Sequence, residues 1–308
     1  MKLGPFASRG KWFRGNCHTH TTVSDGKMTP EKIVRAYRSR GYDFIVLTDH
    51  STCQPSVVPY QRPGLLVING IELHPRPKTR SPGPHHIIGI GVDRNPPRDF
   101  RTHGSAQDAI RWIRRCGGIP IYGHPYWMGH NTDHMKEGRE AFGMEVFNAT
   151  CEAVGLGDSS AHFDQALSAG RNWLPFAVDD THVLERDGFQ GWIMVKACAL
   201  TRRAILDAIR AGSFYATRGP TIKDLSYRRG RFHLACSPVQ RIVWHAEGPW
   251  GKKTTAGKSL LEGDTFDLKP ALGMSRYLRV EIADAAGRKA WTAPVFLTRR
   301  GLSRKLGG

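Results

Sequence analysis

Nowhere in this chain do about 18 apolar residues run together, so no membrane-crossing helix is expected. The opening residues, 1–10, lack the apolar stretch of a secretory leader. Cysteine is sparse and scattered: Cys17, Cys53, Cys116, Cys151, Cys198 and Cys236 form no C-x-x-C pair. That spacing argues against a disulfide scaffold or a thiolate zinc site, and for a reducing, cytoplasmic setting. There is no internal repeat, no low-complexity tract, and no serine or cysteine nucleophile with an evident nearby base. Acidic residues are also short, 27 against 45 lysines and arginines, for a formal charge of +18.

The positive surplus is uneven. From Arg218 to the end there are 18 basic and 7 acidic residues. Such a molecule attracts anions, and the expected partner is a small anionic substrate rather than a membrane. No long Lys/Arg run or RNA-binding signature appears, so nucleic acid is the less favoured partner. Oligomeric state leaves no mark.

What the chain does have is histidine and carboxylate at strand ends. A strand is expected over 14–20, ending in His18-Thr-His20. Thr29 caps a helix that starts at Pro30 and ends at Gly41. Phe44–Leu47 delivers Asp49-His50, and the run Leu65–Ile68 leads to Glu72. A basic, proline-rich loop from His74 to Pro84 opens onto His85-His86 and an apolar run to Val92. Helix Ser105–Cys116 carries Asp108 at the capping-box position. Strands follow at Ile119–Tyr122 (then His124), Met144–Phe147 (then Asn148) and Leu174–Val178 (then Asp179-Asp180-Thr-His182). Between the last two lies a helix over 160–169. Helix Thr201–Ala211 and strand Ser213–Thr217 complete an alternating set, which indicates parallel βα architecture. After Gly219-Pro220 short alternating runs at 232–236, 241–246, 266–268, 277–283 and 293–297 predict a small antiparallel, sandwich-like β domain. The expected division is 1–217, 218–300 and a basic, frayed tail over 301–308.

Residues two apart on a strand face the same way, so His18 with His20, and Asp180 with His182, can converge on one point. Cys17 then faces away and is read as a buried structural cysteine. Burying so many ionisable groups without metal would cost several kcal/mol apiece, roughly, whereas cations favour carboxylates and neutral imidazoles. Mixed His and Asp/Glu ligation suits Zn, Mn or Fe. Glu72, alone among histidines, is the natural bridge between ions. The absence of a side-chain nucleophile favours attack by a metal-bound hydroxide.

The segments Gly15-Asn-Cys-His-Thr-His-Thr-Thr-Val-Ser-Asp-Gly26, Leu47–His50, Gly70-Ile-Glu72, His86–Gly91, Gly123-His-Pro125, Glu145–Asn148 and Asp179–His182 resemble the PHP (polymerase and histidinol phosphatase) superfamily. The opening and the D-D-T-H close are most similar to its CehA/McbA-type metallohydrolases. The resemblance spans about residues 12–220, and the tail, with Arg279-Val-Glu281 and Ala290–Pro294, looks like that branch's appended domain. It implies a distorted (β/α)7, TIM-like barrel with two or three divalent ions. His18, His20, Glu72 and Asp180 would hold the first ion; Glu72, His86 and His124 the second; Asp25, His50 and His182 the third. Glu72, Asp180 and His182 would carry the reaction. His86 is preferred to His85 because it directly precedes the matching run; Asp49 and Asp179 would orient His50 and the ligands. Asn148 either meets substrate or satisfies backbone. Arg218, where many members have a small polar residue, either grips a phosphate or lies on the rim. Arg76, Lys78 and Arg80 are further anion candidates, with solvated loop charge the favoured reading.

The leading function is a phosphoesterase acting on small phosphorylated metabolites. The alternatives are a carbamate, ester or amide hydrolase, in which Tyr126, Trp127 and Trp192 would matter more, an oligonucleotide 5′-end nuclease, and a non-catalytic binding module.

Overall fold

The fold is described from a computed structural model, which covers residues 1–54, 56–81, 83–97, 104–298 and 301–302. Most of the expected tail, with residues 299–300, lies outside the described residues. The apolar runs of the first half become strands β1 (Lys11–Asn16), β2 (Phe44–Leu47), β3 (Leu66–Leu73), β4 (Ile87–Ile90), β5 (Ile119–Tyr122), β6 (Gly143–Asn148) and β7 (Leu174–Val178). They pair in sequence order, and every residue of β2, β4, β5, β6 and β7 is buried. Covering both faces requires continuous apolar runs rather than alternation, which is what these segments carry apart from Glu145 and Asn148 of β6. Beyond their ends, β7 and β1 meet through a parallel bridge between Thr19 and Thr181. Asp180 N–H donates to the His18 carbonyl and His20 N–H to that of Thr181, each at 3.0 Å.

One strand runs against the rest. β4 is antiparallel to both β3 and β5, while β1–β2, β2–β3, β5–β6 and β6–β7 are parallel. The β3–β4 connection is therefore a hairpin loop with no helix, and His86 enters the centre from the start of its strand.

Helices α1 (Pro30–Ser39), α2 (Ala106–Arg115), α3 (Thr132–Glu137), α4 (Ala149–Glu152), α5 (Ser160–Ser168), α6 (Leu184–Asp187) and α7 (Arg202–Arg210) fill the connections. Thr29 caps α1 through Lys32 N–H, and Ser105 with Asp108 forms a reciprocal capping box on α2, as the sequence predicts. The longer helices lay apolar stripes on the sheet, as with Ile110 and Ile113 of α2 and Ile205 and Ile209 of α7.

Two further strands, β8 (Trp192–Ala197) and β9 (Phe214–Thr217), extend the sheet from β1 in antiparallel fashion. β8 was not expected, because its alternating burial carries Lys196 and reads as loop. The remainder is β-rich: β10 (Ile222–Arg228), β11 (Arg231–Val239), β12 (Arg241–Ala246), β13 (Lys252–Thr255), β14 (Leu261–Asp267), β15 (Tyr277–Ala283), β16 (Lys289–Trp291), β17 (Val295–Thr298) and β18 (Gly301–Leu302). β10, β11 and β14 form a separate three-stranded sheet facing β12 and β15 across a core of Phe232, Leu234, Ile242, Trp244, Val280 and Ile282. Phe6 joins that core from the N-terminus, and Lys2 bridges to Ser226. β16 pairs with β9, so one sheet runs from the first strands into the last part of the chain. Among the described residues no helix is long and apolar enough to cross a membrane.

Candidate metal centre

The expected strand over 14–20 is shorter. β1 stops at Asn16, whose side chain donates to the His18 carbonyl (2.9 Å) and the Thr19 hydroxyl (2.8 Å) and so fixes the segment that follows. His18 and His20 lie on either side of the bridge at Thr19, with their Nε2 atoms 3.0 Å apart. Gly26 makes this possible, since a Cβ there would stand 2.6 Å from the His20 carbonyl. Asp180 follows β7 with φ of 53°, a left-handed conformation uncommon outside glycine. Its Oδ1 lies 2.9 Å from His20 Nε2 and 3.2 Å from His18 Nε2.

Glu72 does not follow its strand, as the sequence reading had it, but sits inside β3, which runs on to Leu73. Its Oε2 faces His18 Nε2 (3.4 Å), His20 Nε2 (3.3 Å) and His50 Nδ1 (2.8 Å), and its Oε1 faces His86 Nδ1 (2.7 Å) and His124 Nε2 (3.9 Å). Asp25 stands at the mouth, near His50 Nε2 (3.3 Å), His182 Nε2 (3.4 Å) and His20 Nδ1 (3.8 Å). The nine residues expected as ligands thus converge on one cluster.

The donor set fits cations. Glu72 Oε2, Asp180 Oδ1 and His50 Nδ1 are buried and make no hydrogen bond, although imidazole or carboxylate atoms lie about them. Short contact without hydrogen-bond geometry is how ligands of a shared ion stand. Groups of three or four donor atoms within 4.8 Å of one another include His18/His20/Asp180, His18/Glu72/His124 and His20/Asp25/His50/His182. With the protein groups alone, burial works against charge on Glu72, yet His86 and His18 hold its carboxyl well below the usual range. Burial likewise opposes charge on His20, but Asp180 and Glu72 raise it to about 9. Opposite charges forced together without water are what bound cations relieve.

Sequence reasoning missed two members. Glu145 accepts from His18 Nδ1 (2.7 Å) and His124 Nδ1 (2.9 Å), leaving both Nε2 atoms to face the cluster. Glu145 and Asn148 are three apart, and strict alternation would put them on opposite faces. A register shift in β6 between Glu145 and Phe147 lets both point inward. His74, the second, brings Nε2 to 3.6 Å from Glu72 Oε2. It lies two residues past Glu72, so alternation along β3 could have found it.

The remaining candidates separate cleanly. His85 turns away, pairing Nδ1 with the Tyr122 hydroxyl (2.7 Å) and Nε2 with Glu137 (3.1 Å). Asn148 is buried; it donates to Glu145 (2.9 Å) and Asp180 (3.0 Å), and its oxygen caps α4 at Cys151 N–H. Arg218 stacks on Phe147 at 3.8 Å and pairs with Glu152 at 3.4 Å. Asp49 holds the loop after His20, through Thr21 and Ser24, rather than His50. Asp179 binds the N–H groups of Phe189, Gln190 and Gly191 and the Tyr37 hydroxyl, rather than His182. Cys17 is buried and Trp192 packs under Arg14 at 3.7 Å, away from the cluster's contacts. All six cysteines are free thiols.

No family model matches the chain. A two-domain protein from Bacteroides vulgatus, described as containing a predicted PHP-like metal-dependent phosphoesterase, shares the fold with a TM-score of 0.52 at 17% identity, over 92% of this chain and 94% of that one. An amidohydrolase from Chromobacterium violaceum aligns with a TM-score of 0.44 at 16% identity, over 56% of this chain and 89% of its own. A 5′-3′ exoribonuclease from Haemophilus influenzae is 27% identical over 84 residues, 26% of this chain and 30% of its own length. What the Bacteroides structure establishes is the fold.

Proposed function

We propose that the chain is a metal-dependent hydrolase of the PHP superfamily, of the CehA/McbA type, and that it cleaves phosphoesters of small anionic substrates. The observation that carries this reading is Glu72, a buried carboxylate faced by six imidazoles with one oxygen lacking any hydrogen bond. In this reading the strands from β1 to β7 form a distorted (β/α)7 barrel over 1–217, and 218–300 is an appended β domain.

Two or three divalent ions, of Zn, Mn or Fe, would be held by His18, His20, Glu72 and Asp180, by Glu72, His86 and His124, and by Asp25, His50 and His182. Such ions supply an acidified water and draw charge from a phosphoryl oxygen. The chain's own part is position. Glu145 forms the floor, fixing which ring nitrogens of His18 and His124 face inward, and Asn148 holds Glu145 and Asp180 in place by donating to both. Asp180 anchors His182 through its carbonyl, which lies 2.7 Å from Nδ1, so that Nε2 stays at the rim. His50, His182 and Asp25 are the more exposed members, and a substrate enters past them.

A panel of nitrophenyl phosphate, bis-nitrophenyl phosphate, nucleotides, a 5′-phosphorylated oligonucleotide and naphthyl carbamate, on Mn- and Zn-loaded protein, tests the proposal. Phosphoester turnover lost in His20→Ala supports it. Carbamate turnover alone moves the assignment to the other hydrolase class, and silence throughout a metal-replete panel overturns catalysis. A second reading, cleavage at oligonucleotide 5′ ends, is favoured by the match to the exoribonuclease. It predicts turnover of the oligonucleotide and steep weakening with salt.

A further inference from the structure

The strands that carry the cluster have a second end. β5, β6 and β7 run parallel, with Gly143 at the start of β6 level with Leu174 at the start of β7. The cluster draws on their other ends, through His124, Asn148 and Asp180. At the starts, a cavity of about 550 Å³ opens where Phe142 leads into β6 and Trp173 into β7. Asp180 lies six residues beyond Leu174. At the rise of a strand, that sets the cavity roughly 15–20 Å from the cluster. Pro294 and Phe296, where β17 begins, wall the cavity from the β-rich part of the chain.

Four guanidinium groups line it, those of Arg114, Arg139, Arg171 and Arg210, against a single carboxylate, Glu140. Two of them are pinned. Arg114 donates to the Glu140 carbonyl at 2.5 Å, and Arg210 to the Gly117 carbonyl at 2.6 Å and to Asp207 at 3.1 Å. The side chains of Arg139 and Arg171 make no hydrogen bond or ion pair among the described residues. Like charges gathered round a hollow repel one another, and here too little carboxylate balances them. A fifth donor is more telling. Trp173 is 1% exposed, its ring is stacked on Tyr122 at 5.5 Å, and its indole N–H is buried with no acceptor. Buried donors are nearly always paired, so an open one in the wall of a cationic hollow calls for an acceptor that the chain does not supply.

We infer that this cavity is a second ligand site, remote from the metal centre, for a small organic anion. Its phosphoryl headgroup is held by the arginines and Trp173 Nε1, and its apolar body rests on Phe142, Pro294 and Phe296. Guanidinium groups meet phosphoryl oxygens two at a time, and four positive charges against one negative suit a dianion better than a carboxylate. The volume is that of a site for a small molecule. Because both parts of the chain supply walls, occupancy ties the start of β17 to the starts of β6 and β7. Such a site stands whatever reaction the cluster performs.

Phenylphosphonate, which has no ester bond to cleave, is the probe, with benzoate and benzyl alcohol as its carboxylate and neutral counterparts. Titrated into metal-replete protein, it is expected to slow amide hydrogen exchange over 139–143, 170–174 and 293–296. The metal centre can take the same probe, so affinity is read from exchange at these segments alone. Arg139→Ala and Arg171→Ala should each weaken binding by about 10-fold, and Trp173→Phe, which keeps the ring, by about 3- to 10-fold. The same protection in His20→Ala supports a separate site. Protection lost in that variant, confined to residues about the cluster, or unmoved by both arginine variants overturns it. Benzoate binding as tightly as phenylphosphonate overturns the phosphoryl headgroup, and benzyl alcohol doing so overturns the anion altogether. An unchanged affinity in Trp173→Phe removes the indole N–H from the site.

Discussion

Glu145 shows how much of the centre rests on a side chain that need touch no metal. By occupying Nδ1 of both His18 and His124 it sets which nitrogens face the cluster. Glu145→Gln keeps the shape but offers an amide donor to one ring, and is expected to cost about 10- to 100-fold in metal affinity, read by titration of metal-free protein. The neighbouring histidines give a sharper contrast. His86→Ala should lower metal stoichiometry, while His85→Ala should leave stoichiometry intact and reduce stability, since His85 faces Tyr122 and Glu137; metal analysis and thermal melts distinguish them. At this scale the sequence spoke through spacing. The H-x-H and D-x-H pairs were legible because short polar spacings at strand ends have few other uses. Glu145 was not, because a bulge moved it to a face that alternation denied it.

Among elements, β4 is the informative one. Its apolar run was readable, yet its direction was not, since a buried strand looks the same forwards and backwards. The unpredicted β8 failed for a different reason: it buries only alternate residues, so its lysine reads as loop. The hairpin loop between β3 and β4 is tied to α3 mainly by Glu137, which accepts from the N–H groups of Lys78 and Thr79, both at 2.8 Å, and from the Thr79 hydroxyl at 2.6 Å. Glu137→Ala should free the loop, seen as faster hydrogen exchange and proteolysis over 76–81, with a smaller change about His85, which loses the same carboxylate.

At the scale of the whole molecule, the two halves are sewn by a sheet and by buried charge. Arg279, fully buried on β15, makes a two-pronged bond to Asp164 of α5, and Lys289 of β16 reaches Asp158 (2.6 Å) and Glu281 (3.1 Å). Arg279→Ala removes the charged partner of Asp164, which keeps only the Tyr277 hydroxyl (3.2 Å) and His245 beside it, and is expected to cost about 1.5–3 kcal/mol, measured by denaturant unfolding. His245 sits in the same network. Burial and the adjacent Arg279 bring its pKa down to about 4, despite Asp164 and Glu281. In the unfolded chain it titrates near its ordinary value of about 6.5. Between those two values the unfolded chain takes up the proton and the folded one does not, so stability falls as pH drops from about 6.5 to 4. His245→Gln should flatten that part of the stability profile relative to wild type. The change of texture after Gly219-Pro220 was plain in the sequence; that β16 would pair with β9 and make one sheet of both parts was not, because pairing between distant strands leaves no local sign.

The reversed strand has a consequence for how such a protein can diversify. In a uniformly parallel arrangement, each connection that shapes the mouth must lead into a helix and back across the sheet, so its length is tied to the packing of a layer. Here one connection leaves the rim and returns to it directly, carrying a histidine at either foot, His74 and His86. Residues can be gained, lost or exchanged between those feet without moving a helix or either histidine. The hairpin is a replaceable tip on a fixed tool, and a lineage could acquire new substrates there while inheriting its chemistry unchanged.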